Sequence, residues 1–208
     1  MNHAPLLFLD FDGVLHPGSV QAGDAFSRGS LLDRALDGLH VEIVISSSWR
    51  FHMSRENLLV RLPQSVARRV VGTTGAAIVG RWARYQEILA WVDRHRCGAE
   101  WRALDDANYE FPDPCPELIA CSPRRGFGPK EAEILREWLK GIAASTRPPS
   151  DPAANLTAEA PSRRQSPSSS DRTIRRLTPA EIESLRREFE ASGRWMEEMI
   201  RSGKIKDL

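Results

Sequence analysis

The sequence predicts an α/β domain of three layers built on a mainly parallel sheet. Its first strand is a continuous apolar run, Leu6–Leu9, which is typical of a strand buried on both faces. Two further strand patterns follow at 41–45 and 100–104, and each ends in polar residues. Between them an amphipathic pattern over 84–92 predicts a helix whose apolar stripe faces a core.

Two carboxylates, Asp10 and Asp12, follow the first strand directly, with Gly13 after them. Side chains alternate along extended backbone, so both acids can point one way while Phe11 points into the core. In parallel sheets, ligands bind just beyond the carboxyl ends of the strands, where these acids fall. Two converging carboxylates repel each other unless a cation lies between them or one is protonated. The pattern therefore predicts a metal-assisted site, and the alternative is a turn that merely ends the strand.

Hydroxyls and arginines occupy comparable positions further along the chain. Ser46 and Ser47 follow the second strand, where a serine can also serve as a helix cap or turn residue. Arg84 and Arg81 stand at the start of the predicted helix. Either arginine could alternatively be an ordinary solvated side chain. Position in the sequence alone does not choose between the members of each pair.

The third strand pattern ends in an acid pair, Asp105 and Asp106. Adjacent carboxylates cannot both point the same way in extended geometry, so we expect one to reach a metal and the other to orient it. Carboxylates with substrate oxygens favour Mg²⁺ over zinc. The cysteines form no Cys-x-x-Cys pair: Cys97, Cys115 and Cys121. The histidines show no close pairing and are predicted to be surface or turn residues: His3, His16, His40, His52 and His95.

Four segments in this order resemble the motifs of the haloacid dehalogenase (HAD) superfamily. They are Asp-Phe-Asp-Gly-Val at 10–14, Ser-Ser-Trp-Arg at 47–50, the arginine before the helix, and Asp105-Asp106. The Ser-Ser-Trp-Arg segment is similar to that of the HAD phosphatase-like domains in RNA-repair (Swiss Army Knife) proteins. The resemblance covers roughly residues 5–142 and implies a three-layer, Rossmann-like HAD fold.

The resemblance also implies a role for each matching residue. It makes Asp10 a nucleophile toward phosphorus and Asp12 a general acid/base. Ser47 is the best match for the phosphate-binding hydroxyl, with Ser46 as the alternative. Arg84, or else Arg81, would hold nucleophile and phosphate together. The resemblance implies one Mg²⁺ site, formed by Asp10, Asp12, Asp105 and Asp106. Asp12 would contribute to it through its backbone carbonyl.

The implied activity is a Mg²⁺-dependent phosphohydrolase that works through an aspartyl-phosphate intermediate. The segments 15–40 and 51–80 are too short for a cap domain of the usual size, so the site is expected to be open. An open site suits phosphorylated nucleic-acid ends or another large phosphomonoester, and Arg50, Arg124 and Arg125 could meet a phosphate backbone. Trp49 is expected to pack in the core. The alternative is a non-catalytic HAD-like interaction module.

The chain divides into three predicted regions. Residues 1–144 form the HAD-like domain, which closes with a strand at 118–121 and a helix whose apolar positions are Ile134, Leu135, Trp138 and Leu139. Residues 145–171 are rich in proline and serine, as in a disordered linker. Residues 172–208 predict an amphipathic C-terminal helix that could pack on the HAD-like domain, pair with a second copy or contact a protein partner. Its apolar stripe consists of Ile182, Leu185, Phe189, Met196 and Met199.

Composition favours a cytoplasmic enzyme. The formal net charge of +1 provides no general attraction for nucleic acid, so such binding would need a local patch. No apolar stretch approaches the roughly 18 residues of a membrane span. The first strand begins at Leu6, which leaves no room for a signal peptide. Three cysteines without a framework spacing favour reduced thiols.

Overall fold

The computed structural model describes residues 3–18 and 25–145 and confirms the predicted α/β fold. Its centre is a five-stranded sheet in which every neighbouring pair is parallel, in the order β3-β2-β1-β4-β5. The strands are β1 (Leu6–Leu9), β2 (Glu42–Ile45), β3 (Val70–Thr73), β4 (Trp101–Asp105) and β5 (Leu118–Ala120). β1 is the middle strand, and all four of its residues are buried, as its apolar run predicts.

Helices cover both faces of the sheet. They are α1 (Gly29–Leu36), α2 (Arg55–Leu59), α3 (Gln64–Ala67), α4 (Ala83–His95) and α5 (Pro129–Ser145). Two 3₁₀ turns, Ser48–Phe51 and Asn108–Glu110, follow β2 and β4. These turns begin at the carboxyl edge of the sheet, where the polar residues that follow the strands lie.

The alternation of side chains along β1 divides the core into two parts. Leu7 and Leu9 pack with α1 and α5, whereas Leu6 and Phe8 pack with α4. The residue directly after β1, Asp10, continues the alternation on the same side as Leu6 and Phe8. That geometry sends Asp10 toward α4 and Phe11 into the opposite core.

Most predicted elements are confirmed, and two details differ. The helix predicted over 84–92 is α4, and the closing strand and final helix are β5 and α5. Ile134 was expected on the buried face of α5 but is 44% exposed, because Ala132, Leu135 and Leu139 form that face. Strand β3 was not predicted. It has only one buried residue, Val70, and its pairing with β2 is interrupted.

The described parts of 15–40 and 51–80 form short helices and β3, and no separate cap domain. No helix among the described residues combines the length and apolar character needed to cross a bilayer. The predicted linker at 145–171 and C-terminal helix at 172–208 lie outside the described residues, apart from Ser145 at the end of α5.

Candidate active site

A row of polar side chains crosses the sheet at its carboxyl edge. Leu9 is in register with Ile45 and with Leu104, so the next residues of these strands, Asp10, Ser46 and Asp105, lie side by side. The ladder continues through this position, because the Ser46 amide donates to the Leu9 carbonyl at 3.0 Å and the Asp10 amide to the Leu104 carbonyl at 3.1 Å. All three side chains are buried.

Thr74 extends this row onto β3, although the sequence pattern did not predict it as a site residue. The pairing of β2 with β3 shifts by one residue between Ile43 and Val44, after which Val44 pairs with Gly72. This shift brings Thr74 beside Ser46, and the Thr74 amide donates to the Ile45 carbonyl at 2.9 Å. After a bulge of this kind, the residues of the strand point to the opposite faces of the sheet from those that an unbroken alternation would give them. The signal available in the sequence was a short β-branched run that ends in hydroxyls, Val70–Thr74, like the one before Ser46.

The row contains polar atoms that are buried without hydrogen-bond partners. Among the described residues there are seven such side-chain atoms, and three lie in this row: Ser46 Oγ, Thr74 Oγ1 and Asp105 Oδ2. A buried polar atom without a partner costs about 1–3 kcal/mol. Three of them together indicate a surface whose hydrogen bonds are completed by a ligand.

Ser47, the other candidate hydroxyl, lies outside the row. It is fully buried and caps the 3₁₀ turn that follows, because its Oγ accepts the Trp49 amide at 3.5 Å. The structure therefore brings Ser46 beside Asp10 and gives Ser47 the capping geometry.

Three carboxylates converge next to this row. One oxygen each of Asp10, Asp105 and Asp106 lies within 4.8 Å of the others. The sequence argument that adjacent acids must diverge was wrong here, because β4 ends at Asp105 and Asp106 lies in the bend that follows. Gly13 makes room for Asp106: a Cβ at residue 13 would lie 2.0 Å from Asp106 Oδ2, and the backbone there has φ of 66°.

Arg84 joins the carboxylates from the first turn of α4. Its Nη1 lies 3.3 Å from Asp10 Oδ1 and 3.5 Å from Asp105 Oδ2, and it donates to the Ser46 carbonyl at 2.6 Å. The side chain is 8% exposed. Arg81, the alternative, is exposed and stacks on the Trp82 ring at 4.0 Å. Of the two arginines, the structure therefore brings Arg84 to the acids.

The charge of this cluster is unbalanced in a way that a divalent cation would correct. Three carboxyl groups and one guanidinium meet here, so the acids outnumber the cation among these residues. Burial raises the pKa of Asp105 well above its ordinary value. Arg84 opposes that shift, while Asp10 and Asp106 add to it. Carboxylate oxygens are the ligands that Mg²⁺ prefers. One of those in the cluster, Asp105 Oδ2, is buried without a hydrogen bond. Asp10, Asp105 and Asp106 therefore fit a hard divalent cation.

Asp12 is separate from that cluster and has partners of its own. Its Oδ2 accepts the Trp49 indole N–H at 2.8 Å, and its Oδ1 lies 2.9 Å from His16 Nε2. Trp49 is buried, as predicted. Of the two alternatives predicted for the histidines, surface or turn, the turn applies to His16: it lies in the tight turn after β1 and is fully buried.

The expectation that Arg50 meets a phosphate backbone was also wrong. Its Nη2 pairs with Glu87 Oε2 at 2.5 Å, and its other nitrogens donate to the carbonyls of Ser46, Ser47 and Gly75. Glu87 is buried too, and its Oε1 accepts the Ile78 amide at 3.1 Å. Arg50 therefore connects the turn after β2, the loop after β3 and helix α4. Arg124 and Arg125 are exposed, as their predicted role requires.

Comparison with protein-family models matches residues 6–132 to the model described as the HAD domain in Swiss Army Knife RNA repair proteins. The matched region runs from the first residue of β1 into α5 and so contains every residue of the row and of the acidic cluster. Comparisons with curated proteins and with solved structures found no match.

Proposed function

The chain belongs to the family of HAD domains found in Swiss Army Knife RNA repair proteins, and on that premise we propose that it is a Mg²⁺-dependent phosphomonoester hydrolase. The observation that carries the proposal is the convergence of Asp10, Asp105, Asp106 and Arg84 on a row of buried polar atoms that lack partners. An interaction module has no need for such an unbalanced buried cluster, whose charges destabilise the fold unless a ligand is bound.

In the first step, an Asp10 oxygen attacks the phosphorus of the substrate and the ester P–O bond breaks. The departing oxygen takes a proton from the Asp12 carboxyl group, which leaves an aspartyl-phosphate on Asp10 and a carboxylate on Asp12. In the second step, water attacks that phosphorus, gives its proton to Asp12 and releases phosphate. Asp10 and Asp12 return to their starting states.

Other residues of the row hold the phosphoryl group. Arg84 fixes the Asp10 carboxylate at 3.3 Å, and its planar guanidinium suits binding of a phosphoryl oxygen beside that carboxylate. We assign the phosphate-binding hydroxyl to Ser46 in preference to Ser47, because the Ser46 hydroxyl has no other partner. Asp10, Asp105 and Asp106 would hold Mg²⁺, with the Asp12 carbonyl as the family resemblance implies. When bound, the cation offsets the repulsion between the nucleophile and the phosphate.

We propose that the substrate is a large phosphomonoester such as a phosphorylated nucleic-acid end. An open site admits a terminal phosphate, and the family is described from RNA repair proteins. The loop with the exposed Arg124 and Arg125 is attached beside Asp12 and Gly13. The Phe127 amide donates to the Val14 carbonyl at 2.7 Å, and the Gly18 amide to the Pro123 carbonyl at 2.8 Å. Free cysteines agree with the proposed cytoplasmic location.

The test is hydrolysis of p-nitrophenyl phosphate and of oligonucleotides phosphorylated at either end, with Mg²⁺ and with excess EDTA. We expect turnover that depends on Mg²⁺ and a loss of at least about a thousandfold in Asp10→Asn. Asp93→Asn, an exposed aspartate on α4, is the matched control. Borohydride reduction of acid-quenched protein should convert Asp10 to homoserine only if the aspartyl-phosphate forms.

Two outcomes would contradict the proposal. Full turnover in EDTA would exclude the metal site, and turnover in Asp10→Asn would exclude the aspartyl-phosphate. A folded protein that hydrolyses none of these esters with Mg²⁺ would favour the non-catalytic interaction module.

A further inference from the structure

The carboxyl group of Asp12 is held by two donors from different parts of the chain. The Trp49 indole nitrogen, 2.8 Å from Oδ2, can only donate a hydrogen bond. His16 is four residues further along the chain, and its Nε2 lies 2.9 Å from Asp12 Oδ1. Both oxygens of one carboxyl group are therefore fixed, and with them the plane of the group.

The hydrogen-bonding pattern assigns the donor nitrogen of His16. The Phe26 amide donates to His16 Nδ1 at 3.4 Å, so Nδ1 is the acceptor and Nε2 carries the hydrogen that faces Asp12. Phe26 has a φ of 59°, which is rare for a residue other than glycine. Such backbone persists only where its surroundings determine it, and the amide of this residue is the one that donates to the imidazole.

The two donors belong to one aromatic cluster beneath Asp12, which consists of Phe11, His16, Phe26 and Trp49. Their ring centroids lie 5.2–5.8 Å apart in the pairs Phe11–Phe26, Phe11–Trp49, His16–Phe26, His16–Trp49 and Phe26–Trp49. His16 is fully buried, whereas the Asp12 side chain is 30% exposed. The cluster thus supports Asp12 from the protein side and leaves it accessible from the solvent side.

We infer that His16 and Trp49 are positioning residues that hold both carboxyl oxygens of Asp12 and so aim its proton at the departing oxygen of the substrate. This inference rests on the proposed function. A carboxyl group on rotatable bonds meets the leaving oxygen only part of the time, and holding it in place raises the rate of proton transfer. The need for that proton depends on the substrate, because a stable leaving anion departs without it.

The experiment compares kcat/KM for p-nitrophenyl phosphate, which has a good leaving group, with kcat/KM for phenyl phosphate, which has a poor one. This constant reports the first step, so the later hydrolysis of the aspartyl-phosphate, which both esters share, does not enter it. We expect His16→Leu and Trp49→Phe to lower kcat/KM on phenyl phosphate by about tenfold or more, since general acid catalysis is worth at least that much. The value for p-nitrophenyl phosphate should fall far less. His16→Gln, which keeps an amide donor, should recover most of the phenyl phosphate rate.

Two controls separate positioning from a structural role. His40→Leu alters an exposed histidine, and Trp138→Phe removes an indole N–H that has no partner, so neither should change the ratio of the two rates. In an Asp12→Asn background, adding His16→Leu should cause no further change, because the group it positions is already absent. Circular dichroism checks folding, and Trp49→Phe, which keeps a ring in the cluster, carries the comparison if His16→Leu does not fold.

Equal losses on both esters, or losses that add to those of Asp12→Asn, would overturn the positioning role while leaving the proposed function intact. If the unmodified protein hydrolyses neither these esters nor the end-phosphorylated oligonucleotides with Mg²⁺, the proposed function falls, and the positioning role falls with it.

Discussion

Arg84 and Glu87 belong to the same helix, three residues apart, yet they join buried charge clusters of different construction. Glu87 forms a closed pair with Arg50, in which each charge has one opposite charge and backbone partners around it. Arg84 joins an open cluster in which one guanidinium faces the carboxylates of Asp10 and Asp105 at 3.3 and 3.5 Å, with Asp106 beside them.

The difference teaches how to separate a structural ion pair from a functional one in the same structure. A structural pair satisfies its own atoms, because an unpaired buried charge destabilises the fold. In the open cluster Asp105 Oδ2 has no hydrogen bond beside its 3.5 Å ion contact with Arg84, and the acids outnumber the cation. A ligand can complete the second arrangement and can add nothing to the first. The following changes test that distinction, from the largest expected effect to the smallest.

Breaking the closed pair should cost the most stability. We expect Glu87→Met to lower the free energy of unfolding by about 3–5 kcal/mol, since it leaves the buried Arg50 charge without the carboxylate that pairs with it. Arg50→Met should cost less in the Glu87→Met background than alone. Urea unfolding measures both, with the exposed Glu133→Met as control. Mg²⁺ should restore none of the loss, and recovery with Mg²⁺ would contradict the separation of the two clusters.

Removing the cation of the open cluster should affect catalysis most. We expect Arg84→Met to lower kcat by about a hundredfold to a thousandfold, the usual cost of losing one donor to a developing oxyanion. Arg84→Lys should retain part of the rate, because it keeps the charge without the planar fork. Arg81→Met is the control and should match the unmodified protein. If instead Arg81→Met abolishes activity, the assignment of Arg84 is wrong.

Magnesium should stabilise the folded chain even without substrate. A ligand present at a hundred times its Kd adds about 2.7 kcal/mol to the free energy of unfolding. Thermal unfolding in MgCl₂ against NaCl of equal ionic strength measures this gain. Asp106→Asn should reduce the gain and Asp93→Asn should leave it intact. An equal rise in Tm with both salts would show that no specific site exists.

Without metal, neutralising the buried acid should stabilise the fold. Because the pKa of Asp105 is raised on folding, the folded state binds more protons between the unfolded and folded pKa values, and stability falls as pH rises through that interval. In EDTA at pH near 7, we expect Asp105→Asn to add about 0.5–2 kcal/mol. The gain should vanish below about pH 4, where Asp105 is protonated in both states. Urea unfolding at both pH values checks it, and a destabilised Asp105→Asn would contradict it.

The partners of both clusters that are named above lie within the described residues up to 145, so truncation should have the smallest effect. We expect a 1–144 chain to fold with unchanged kcat on p-nitrophenyl phosphate, whereas oligomeric mass or activity on a large substrate should change. This tests our proposal that 145–171 is a linker and 172–208 a helix for recruitment or self-association. Loss of folding in the shorter chain would show that the C-terminal region belongs to the core.

The sequence predicts the parts of the site that depend on local pattern. The apolar run of β1 and its alternation place Asp10 correctly, and the same reasoning finds Asp105 and the start of α4. The choice between Ser46 and Ser47 stayed open, because it depends on the register between strands. Thr74 escaped notice for the same reason, since the shifted pairing of β3 breaks the alternation.

Other features depend on segments that meet only in the folded chain. His16 gains its burial from Phe26 and Trp49, and the latter is far from it in sequence. Arg50 was expected to meet a phosphate backbone, and its actual partner, Glu87, lies 37 residues further along the chain. In the structure Glu87 is buried, since the loop after β3 covers that side of α4.

The contact between Gly13 and Asp106 also has a meaning for how such chains diverge. The two residues follow different strands, yet the Asp106 carboxylate occupies the space that a Cβ at residue 13 would take. A side chain at residue 13 would therefore have to displace that carboxylate. In descendants that keep an acid at 106, the two positions should be inherited as a single character. A glycine lost at 13 would mark a lineage that has given up this arrangement, even where all four aspartates survive.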